Sequence, residues 1–212
     1  MTPRPMTGRC LRDRRGVAMI ELALAFPLLI TAIMGLIELC NYALQKQRLS
    51  QIALQVADNA GRLGAAELSG PQAITEGQVN DVLLGGTVAG AGLDFAHEGR
   101  IILSSLELNS ARGQWIHWQR CRGGLARQSS FGVEGDGENG TGLPGMGRTG
   151  AKVLAEPDHP VMFAEVVYRW RPITPLPLIP TTLITEIASM PVRSDRDLSG
   201  LQNGSGSQKA TC

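Results

Sequence analysis

The sequence has 212 residues, a length that suits one domain with an appendage and is too short for two full-sized domains. Lys and Arg number 20 against 19 Asp and Glu, and the formal charge of +1 gives no bulk attraction to nucleic acid. Aromatic residues make up only 4%, so aliphatic side chains and alanine supply most of any core. Nucleic acid is therefore not an expected partner.

The chain begins with a basic segment that is followed by a long apolar one. Residues 1–16 carry five arginines and one aspartate, a net charge of +4, whereas residues 17–40 contain only two charged side chains, Glu21 and Glu38. As a helix these 24 residues measure about 36 Å, more than the bilayer hydrocarbon core of about 30 Å. We predict a basic leader peptide and one transmembrane helix, with the N-terminus cytoplasmic because the arginines lie on that side.

Three other interpretations of residues 17–40 fit less well. A cleavable signal peptide ends in small residues, which are missing around Cys40. A lipoprotein would need small residues directly before this cysteine, where bulky and acidic residues stand instead. The core helix of a soluble domain would show a polar face, but residues 22–37 hold only one polar side chain, Thr31.

An acidic residue inside the apolar segment needs a partner, because a carboxylate costs about 2.5–3.5 kcal/mol at the bilayer centre. If the chain were cut between Gly16 and Val17, the new amino group would lie four residues from Glu21, about one helical turn away. Cleavage would then create the missing positive charge, within one chain or between neighbouring chains. The alternative is a chance carboxylate near the interface of an ordinary signal anchor.

The residues around this bond resemble the cleavage and assembly signature of type IV prepilins. Arg-Arg-Gly at 14–16 is followed by V-A-M-I-E-L-A-L-A-F-P, which ends at Pro27. More narrowly, the pattern is similar to the TadE-like family, the minor pseudopilins of the bacterial Flp (Tad) pilus system. The resemblance implies that a prepilin peptidase cuts after Gly16, that Val17 becomes the mature N-terminus and that Glu21 is the assembly glutamate. It also implies a retained helix that anchors the subunit in the inner membrane or packs into a pilus.

An amphipathic helix is expected to continue from the membrane segment. Between residues 41 and 68, apolar side chains recur at spacings of three and four among Gln, Arg, Ser and Asp. They are Leu49, Ile52, Ala53, Val56, Ala57, Ala60 and Leu63. We predict one helix from residue 17 to residue 68, whose extracytoplasmic second part packs on a domain; a dimerising coiled coil is the alternative.

Residues 69–194 predict an extracytoplasmic α+β domain. Residues 80–92 suit a short helix followed by a loop. Strand patterns occur at residues 100–109, 114–121, 161–170 and 182–193. The first two form a hairpin across a turn at residues 109–113. The fold class is thus α+β and pilin-like: a long N-terminal membrane-spanning helix that continues into a small antiparallel sheet domain.

A glycine-rich loop separates the second and third predicted strands. Residues 123–150 hold ten glycines and three matches to G-x-G-x-x-G. The surrounding acidic side chains would repel a pyrophosphate, and no strand and helix frame the matches. Asp136 and Glu138 could offer oxygens to calcium, but their spacing departs from that of an EF-hand. A flexible, solvated surface loop is the preferred interpretation.

No constellation of residues suggests catalysis. The three histidines, His97, His117 and His159, are isolated from one another and lack zinc-ligand spacing. The serine pairs lack the context of a nucleophile elbow. We therefore predict no catalytic residue, no metal and no cofactor.

The cysteines sort by predicted compartment. Cys10 lies in the leader and Cys40 at the far membrane face, whereas Cys121 and Cys212 lie outside, where an oxidising space allows them to pair. A bridge between them would close a loop of about 90 residues, for which the chain-entropy model gives about 4.6 kcal/mol. An unpaired C-terminal thiol is the alternative. Residues 195–212, rich in Gly, Ser and Gln, predict a flexible tail.

These expectations describe a bitopic, non-catalytic, TadE-like protein of the bacterial inner membrane with a periplasmic C-terminal domain. The resemblance implies a prepilin peptidase, other pilin or pseudopilin subunits and the pilus assembly platform as partners, besides the lipid bilayer. It also implies a role in assembly or priming of a Flp/Tad-type pilus and in surface adherence, with incorporation into the fibre left open. The alternative is a signal-anchored periplasmic binding domain without an assembly role, which would retain residues 1–16.

Overall fold

The computed structural model describes residues 15–64, 71–174, 179–204 and 206–212. Its elements in chain order are helix α1 (Arg15–Gly61), helix α2 (Glu76–Ala89) and strands β1 (Gly99–Leu108), β2 (Gln114–Arg122), β3 (Val161–Trp170) and β4 (Thr182–Pro191). The long apolar helix followed by a four-stranded antiparallel sheet confirms the predicted α+β class.

The chain divides into two compact units. The first unit comprises residues 1–43 and 172–180, and the second comprises residues 44–171 and 181–212. Helix α1 therefore supplies residues to both units, and the connection between β3 and β4 belongs to the first.

Helix α1 ends earlier than its sequence pattern predicts. Its last residue is Gly61, seven residues before the predicted end at residue 68. The N–H groups of Arg62 and Leu63 bond to carbonyls three residues back, and Gly64 adopts a left-handed φ of +84°. A tightened turn followed by a left-handed glycine ends an α-helix. The prediction is therefore wrong from residue 62 to residue 64, and residues 65–68 lie outside the described residues.

Helix α2 begins four residues before residue 80, where the predicted short helix followed by a loop starts. A reciprocal capping box forms its start: the Thr75 hydroxyl accepts the N–H of Gln78, and the Gln78 side chain accepts the N–H of Thr75. These bonds satisfy backbone donors that have no partner within the helix. The T-x-x-Q pattern was the signal that sequence reasoning overlooked.

The four strands form one sheet in the order β2-β1-β3-β4, with each neighbouring pair antiparallel. The predicted strands at residues 100–109, 114–121, 161–170 and 182–193 match β1 to β4 to within two residues at each end. Strands β1 and β2 are the predicted hairpin, with a register shift between Ser105 and Leu106. The long connection after β2 lets β3 pair with the other edge of β1.

One face of the sheet is covered by α2 and by the part of α1 beyond residue 43. A Cβ atom added at Gly86 of α2 would lie 2.6 Å from a methyl group of Val56 on α1 and 2.9 Å from one of Ile101 on β1. The three elements therefore meet at this glycine. Most of the predicted apolar stripe of α1 is at most 2% exposed there: Leu49, Ile52, Ala53, Val56, Ala57 and Ala60.

The glycine-rich loop packs on the opposite face, so the predicted solvated surface loop is correct for its many exposed residues but wrong for those that contact the sheet. Met146 of this loop is fully buried against Leu106, Ile116 and Phe163. The ring of Phe131 packs edge-on against that of Phe163, with centroids 5.4 Å apart. The loop completes a second core, because Phe131, Leu143 and Met146 pack against residues of the sheet.

Buried polar side chains of the sheet also hold this loop in place. Glu165 of β3, which has no exposed surface, accepts hydrogen bonds from the Ser129 hydroxyl at 2.7 Å and from the Ser130 N–H. Gln119 of β2 donates to the Gly132 carbonyl at 3.1 Å. Loop hydroxyl, amide and carbonyl groups thus satisfy the buried polar groups of two strands.

The C-terminal segment is bonded along its length, in contrast to the predicted flexible tail. Its backbone pairs with residues 72–76 on the way to α2, and the Gln208 carbonyl accepts a 2.8 Å bond from Asn80. Arg196 is 9% exposed and donates to the carbonyls of Ala60 and Leu63 at 2.7 and 3.0 Å. This arginine thus binds one carbonyl in the last turn of α1 and one just beyond its end, where helical hydrogen bonding runs out.

Candidate functional site

The first part of α1 carries an apolar surface that the described residues leave uncovered. Every residue from 16 to 33 is exposed, including large side chains such as Met19 and Leu28, which are 76% and 74% exposed. Within the described ranges, α1 is the one helix long and apolar enough to cross a bilayer, and its most apolar stretch is 0% buried. Such a surface requires an apolar environment, from lipid or from other helices.

The predicted processing and assembly residues lie in the first two turns of α1. Val17 and Glu21 are exposed and four positions apart, so their side chains share one face of the helix. A Cβ atom added at Gly16 would meet no heavy atom within 4 Å. Arg14 of the predicted motif lies outside the described residues. The helix thus brings Val17 and Glu21 together, while cleavage after Gly16 stays a prediction.

Helix α1 continues through Pro27, which has no N–H group to donate to the preceding turn. One turn later, the hydroxyl of Thr31 donates to the Pro27 carbonyl at 2.8 Å. The one polar side chain of residues 22–37 is therefore satisfied within the helix, as an apolar environment requires.

The second carboxylate of the apolar segment has a partner that the sequence did not reveal. Glu38 has no exposed surface, and its Oε1 accepts a 2.6 Å hydrogen bond from the N–H of Thr174. Thr174 lies 136 residues further along the chain, in the connection between β3 and β4. Both residues belong to the first unit. A backbone donor thus stabilises an acidic group that apolar surroundings would otherwise disfavour.

The structure joins Cys121 and Cys212 by a disulfide with a Cα–Cα distance of 5.0 Å. The N–H of Cys121 also donates to the carbonyl of Ala210 at 2.9 Å, so backbone and side chain together fasten the end of the chain to β2. Cys40 is free and exposed. Cys10 lies outside the described residues.

A buried ion pair lies next to this disulfide. Arg120 of β2 donates from Nη2 to Glu76 Oε1 and from Nη1 to Glu134 Oε2, each at 2.6 Å, and Lys209 reaches the other oxygen of Glu134 at 3.1 Å. Burial by itself raises the pKa of Glu134, but the N–H of Gln119 and the charges of Lys209 and Arg120 together lower it. The network links α2, β2, the glycine-rich loop and the C-terminal segment.

A serine, carboxylate and histidine cluster on β1 and β2 has the wrong order of contacts for catalysis. Ser105 Oγ donates to Glu107 Oε1 at 2.6 Å, and His117 Nδ1 lies 2.9 Å from Glu107 Oε2. Both partners bind the carboxylate, so the histidine is not bonded to the hydroxyl that it would have to activate. In the described part of the chain, no group of three His, Cys, Asp or Glu side chains is placed to hold a metal.

The described residues combine a candidate membrane anchor, the exposed apolar part of α1, with a four-stranded antiparallel sheet. A family model described as TadE-like protein matches residues 16–58, all of which lie in α1. The match confirms over that segment the resemblance to the TadE-like family that residues 14–27 predict. No curated protein and no solved structure matches the chain.

Proposed function

We propose that this protein is a non-catalytic, prepilin-like membrane protein that takes part in assembly or priming of a Flp/Tad-type pilus used in surface adherence. The observation that carries the proposal is the coincidence of the TadE-like match with the uncovered apolar part of α1. Helices with exposed apolar surface on all sides are stable in lipid or beside similar helices, and pilus assembly requires both environments in turn.

The proposed first step is cleavage of the basic leader on the cytoplasmic side. A prepilin peptidase cuts between Gly16 and Val17, which leaves Val17 with a free ammonium group. Glu21 then supplies the complementary charge one turn further along α1. The attraction is strong in an apolar environment, where water does not screen it. The retained helix holds the subunit in the inner membrane until it packs beside pilin or pseudopilin subunits at the assembly platform.

The second unit has the role of a periplasmic domain in this proposal. The disulfide between Cys121 and Cys212 supports an oxidising compartment, because such bonds persist outside the cytoplasm. The five arginines of the leader support a cytoplasmic N-terminus. Together they give a single-pass topology with the leader inside and the sheet outside.

Intact-mass measurement of the membrane-extracted protein tests the proposal most directly. We expect a mature chain that begins at Val17. Deletion of the peptidase gene should abolish this species and leave the full-length chain. A chain that retains residues 1–16 would favour the signal-anchored periplasmic domain instead. A soluble chain trimmed beyond residue 40 would overturn both interpretations.

A pair of isosteric variants then tests the charge. Glu21→Gln is expected to be cleaved normally but to reduce the yield of sheared pili, because the amine at Val17 loses its counter-charge. Glu38→Gln removes the other carboxylate of the apolar segment and keeps a carbonyl acceptor for Thr174, so it serves as the matched control. Wild-type pilus yield from Glu21→Gln would contradict the electrostatic role.

A further inference from the structure

The connection between β3 and β4 has an unusual composition for a loop that leaves a sheet. Residues 172–180 read P-I-T-P-L-P-L-I-P, and Thr174 is their only polar side chain. Surface connections of globular domains are ordinarily rich in polar residues, glycine or both. These nine residues carry no charge and four of them are Ile or Leu, a composition typical of segments that lie in an apolar environment.

Contact with α1 places the start of this connection, residues 172–174, beside the end of the apolar segment. The N–H of Thr174 binds Glu38 Oε1 at 2.6 Å, and both residues belong to the first unit. Glu38 lies two residues before the last residue of the predicted span at 40, which is about 3 Å along a helix. If α1 crosses the bilayer, Thr174 is held at the depth where the hydrocarbon gives way to the headgroups.

Ile173, the residue next to this contact, has an exposed side chain. Ile173 is 63% exposed, whereas Glu38 beside it has no exposed surface. The polar backbone of the loop therefore covers the carboxylate, and an aliphatic side chain is left uncovered at the same depth. Full burial of such a side chain contributes about 1.5–3 kcal/mol, so an apolar phase at this point would stabilise the arrangement.

Charged residues adjoin the loop on its N-terminal side. Arg169 and Arg171 directly precede it, and both pair with a single carboxylate, Glu98. The three side chains leave one positive charge in excess. Arginines beside an apolar segment are typical of a membrane interface, where they meet anionic headgroups while the apolar residues enter the acyl region.

We propose that Ile173 and Thr174, at the start of the connection between β3 and β4, form a second membrane contact, which inserts into the outer leaflet of the phospholipid bilayer next to α1. This inference rests on the proposed function, because it requires α1 to span the membrane. The Thr174–Glu38 hydrogen bond holds the loop at the depth of the helix end, and the exposed isoleucine enters the lipid. The chain that follows β3 thereby contacts the bilayer at a second point besides α1.

Spin-label accessibility on the full chain in vesicles of phosphatidylethanolamine and phosphatidylglycerol tests this inference. In a Cys10→Ser, Cys40→Ser background, one nitroxide is attached at Ile173→Cys. Matched labels replace two other exposed apolar residues: Leu28→Cys in the first part of α1, 74% exposed, and Val133→Cys in the glycine-rich loop, 39% exposed. Collisions with oxygen report lipid, and collisions with a water-soluble nickel chelate report solvent.

We expect the ratio of oxygen to nickel accessibility at Ile173→Cys to exceed that at Val133→Cys several-fold and to approach that at Leu28→Cys. A ratio at Ile173→Cys equal to that at Val133→Cys, with Leu28→Cys in lipid, would overturn the loop insertion while leaving the span intact. Shielding of Ile173→Cys from both reagents would also overturn it, because a protein partner would then cover the loop. Nickel access at Leu28→Cys would instead refute the span itself.

A second pair of variants tests the hydrogen bond that sets the depth. Glu38→Leu removes the acceptor for Thr174 and is expected to raise the nickel accessibility of the label at residue 173. Glu38→Gln keeps a carbonyl acceptor and should leave it unchanged. Equal nickel accessibility in the two variants would show that Glu38 does not hold the loop.

Discussion

The two parts of helix α1 differ in what covers their apolar side chains. Leu28, in the first unit, is 74% exposed, whereas Leu49, in the second unit, is fully buried. Both are leucines of one continuous helix, so helix propensity does not separate them. The second part is stabilised by contacts within its own chain, whereas the proposed function leaves the first part to be covered by lipid or other subunits. A protein that is inserted in a membrane and assembled with partners needs this division of its helix.

Truncation of matched leucines is the strongest test of this comparison. Leu49→Ala is expected to lower the free energy of unfolding by about 2–5 kcal/mol, because it leaves a cavity in the core. Leu28→Ala and Leu44→Ala, at sites 74% and 59% exposed, should change it by at most about 0.5 kcal/mol. Urea unfolding of the detergent-solubilised protein, followed by tryptophan fluorescence, measures all three. A large effect of Leu28→Ala would show that the first part is also packed internally.

The cysteines provide a second test across the same two regions. Cys212→Ser removes a bond that spans 91 residues and should lower stability by about 2–4 kcal/mol. It should also speed hydrogen exchange at the N–H of Cys121, since the bond to Ala210 would open. Cys40→Ser, at the free cysteine of α1, is the control and should leave both quantities at wild-type values. An unchanged melting temperature for Cys212→Ser would mean that the hydrogen bonds alone hold the C-terminal segment.

Neighbouring glycines of α2 test the packing against the second part of α1. Gly86→Ala should destabilise the protein by about 1–3 kcal/mol, because its Cβ would overlap methyl groups of Val56 and Ile101. Gly85→Ala meets no atom within 4 Å and should stabilise the helix by about 0.5–1 kcal/mol. Thermal unfolding of the two variants side by side gives the sign of each change. Two shifts in the same direction would contradict the close approach of α1, α2 and β1.

The smallest expected effect is a pH dependence of stability at Glu134 of the glycine-rich loop, which pairs with Lys209 of the C-terminal segment. The pKa of Glu134 is lowered in the folded state, so below its ordinary value of 4.5 the unfolded state binds more protons. Its contribution to stability is complete above that pH and is lost as the pH falls through the lowered folded pKa. The effect is small because the side chain is 39% exposed. Glu134→Gln should therefore reduce the loss of melting temperature between neutral pH and pH values below 4.5, and an unaltered loss would show that other groups dominate.

Strands and the membrane segment could be predicted because each has a local signature. Alternation of side chains places Met162, Ala164 and Val166 on one side of β3, and their partners on β1 and β4 follow the same alternation. The apolar run of residues 17–40 needs no partner within the chain to be recognised. The start of α2 also has a local signature, the capping pair Thr75 and Gln78, which the predicted start at residue 80 did not include.

The glycine-rich loop and the C-terminal segment could not be predicted in the same way. Their composition favours disorder, but a few residues bind groups that lie far away in the sequence. Ser129 reaches Glu165, and Arg196 reaches the carbonyl of Ala60 across 136 residues. Composition averages over such residues, whereas a single buried hydrogen bond with a charged partner contributes about 1.5–3 kcal/mol.

By itself, the sequence determined the apolar segment, the order of charge around it, the strand pattern and the similarity to TadE-like proteins, since all of these reside in neighbouring residues. Only the tertiary structure decided which half of α1 is covered, how the loop and the C-terminal segment are held, and that Glu38 binds Thr174. The physical reason is that burial and hydrogen bonding are properties of pairs brought together by folding. No window of the sequence contains both members of such pairs.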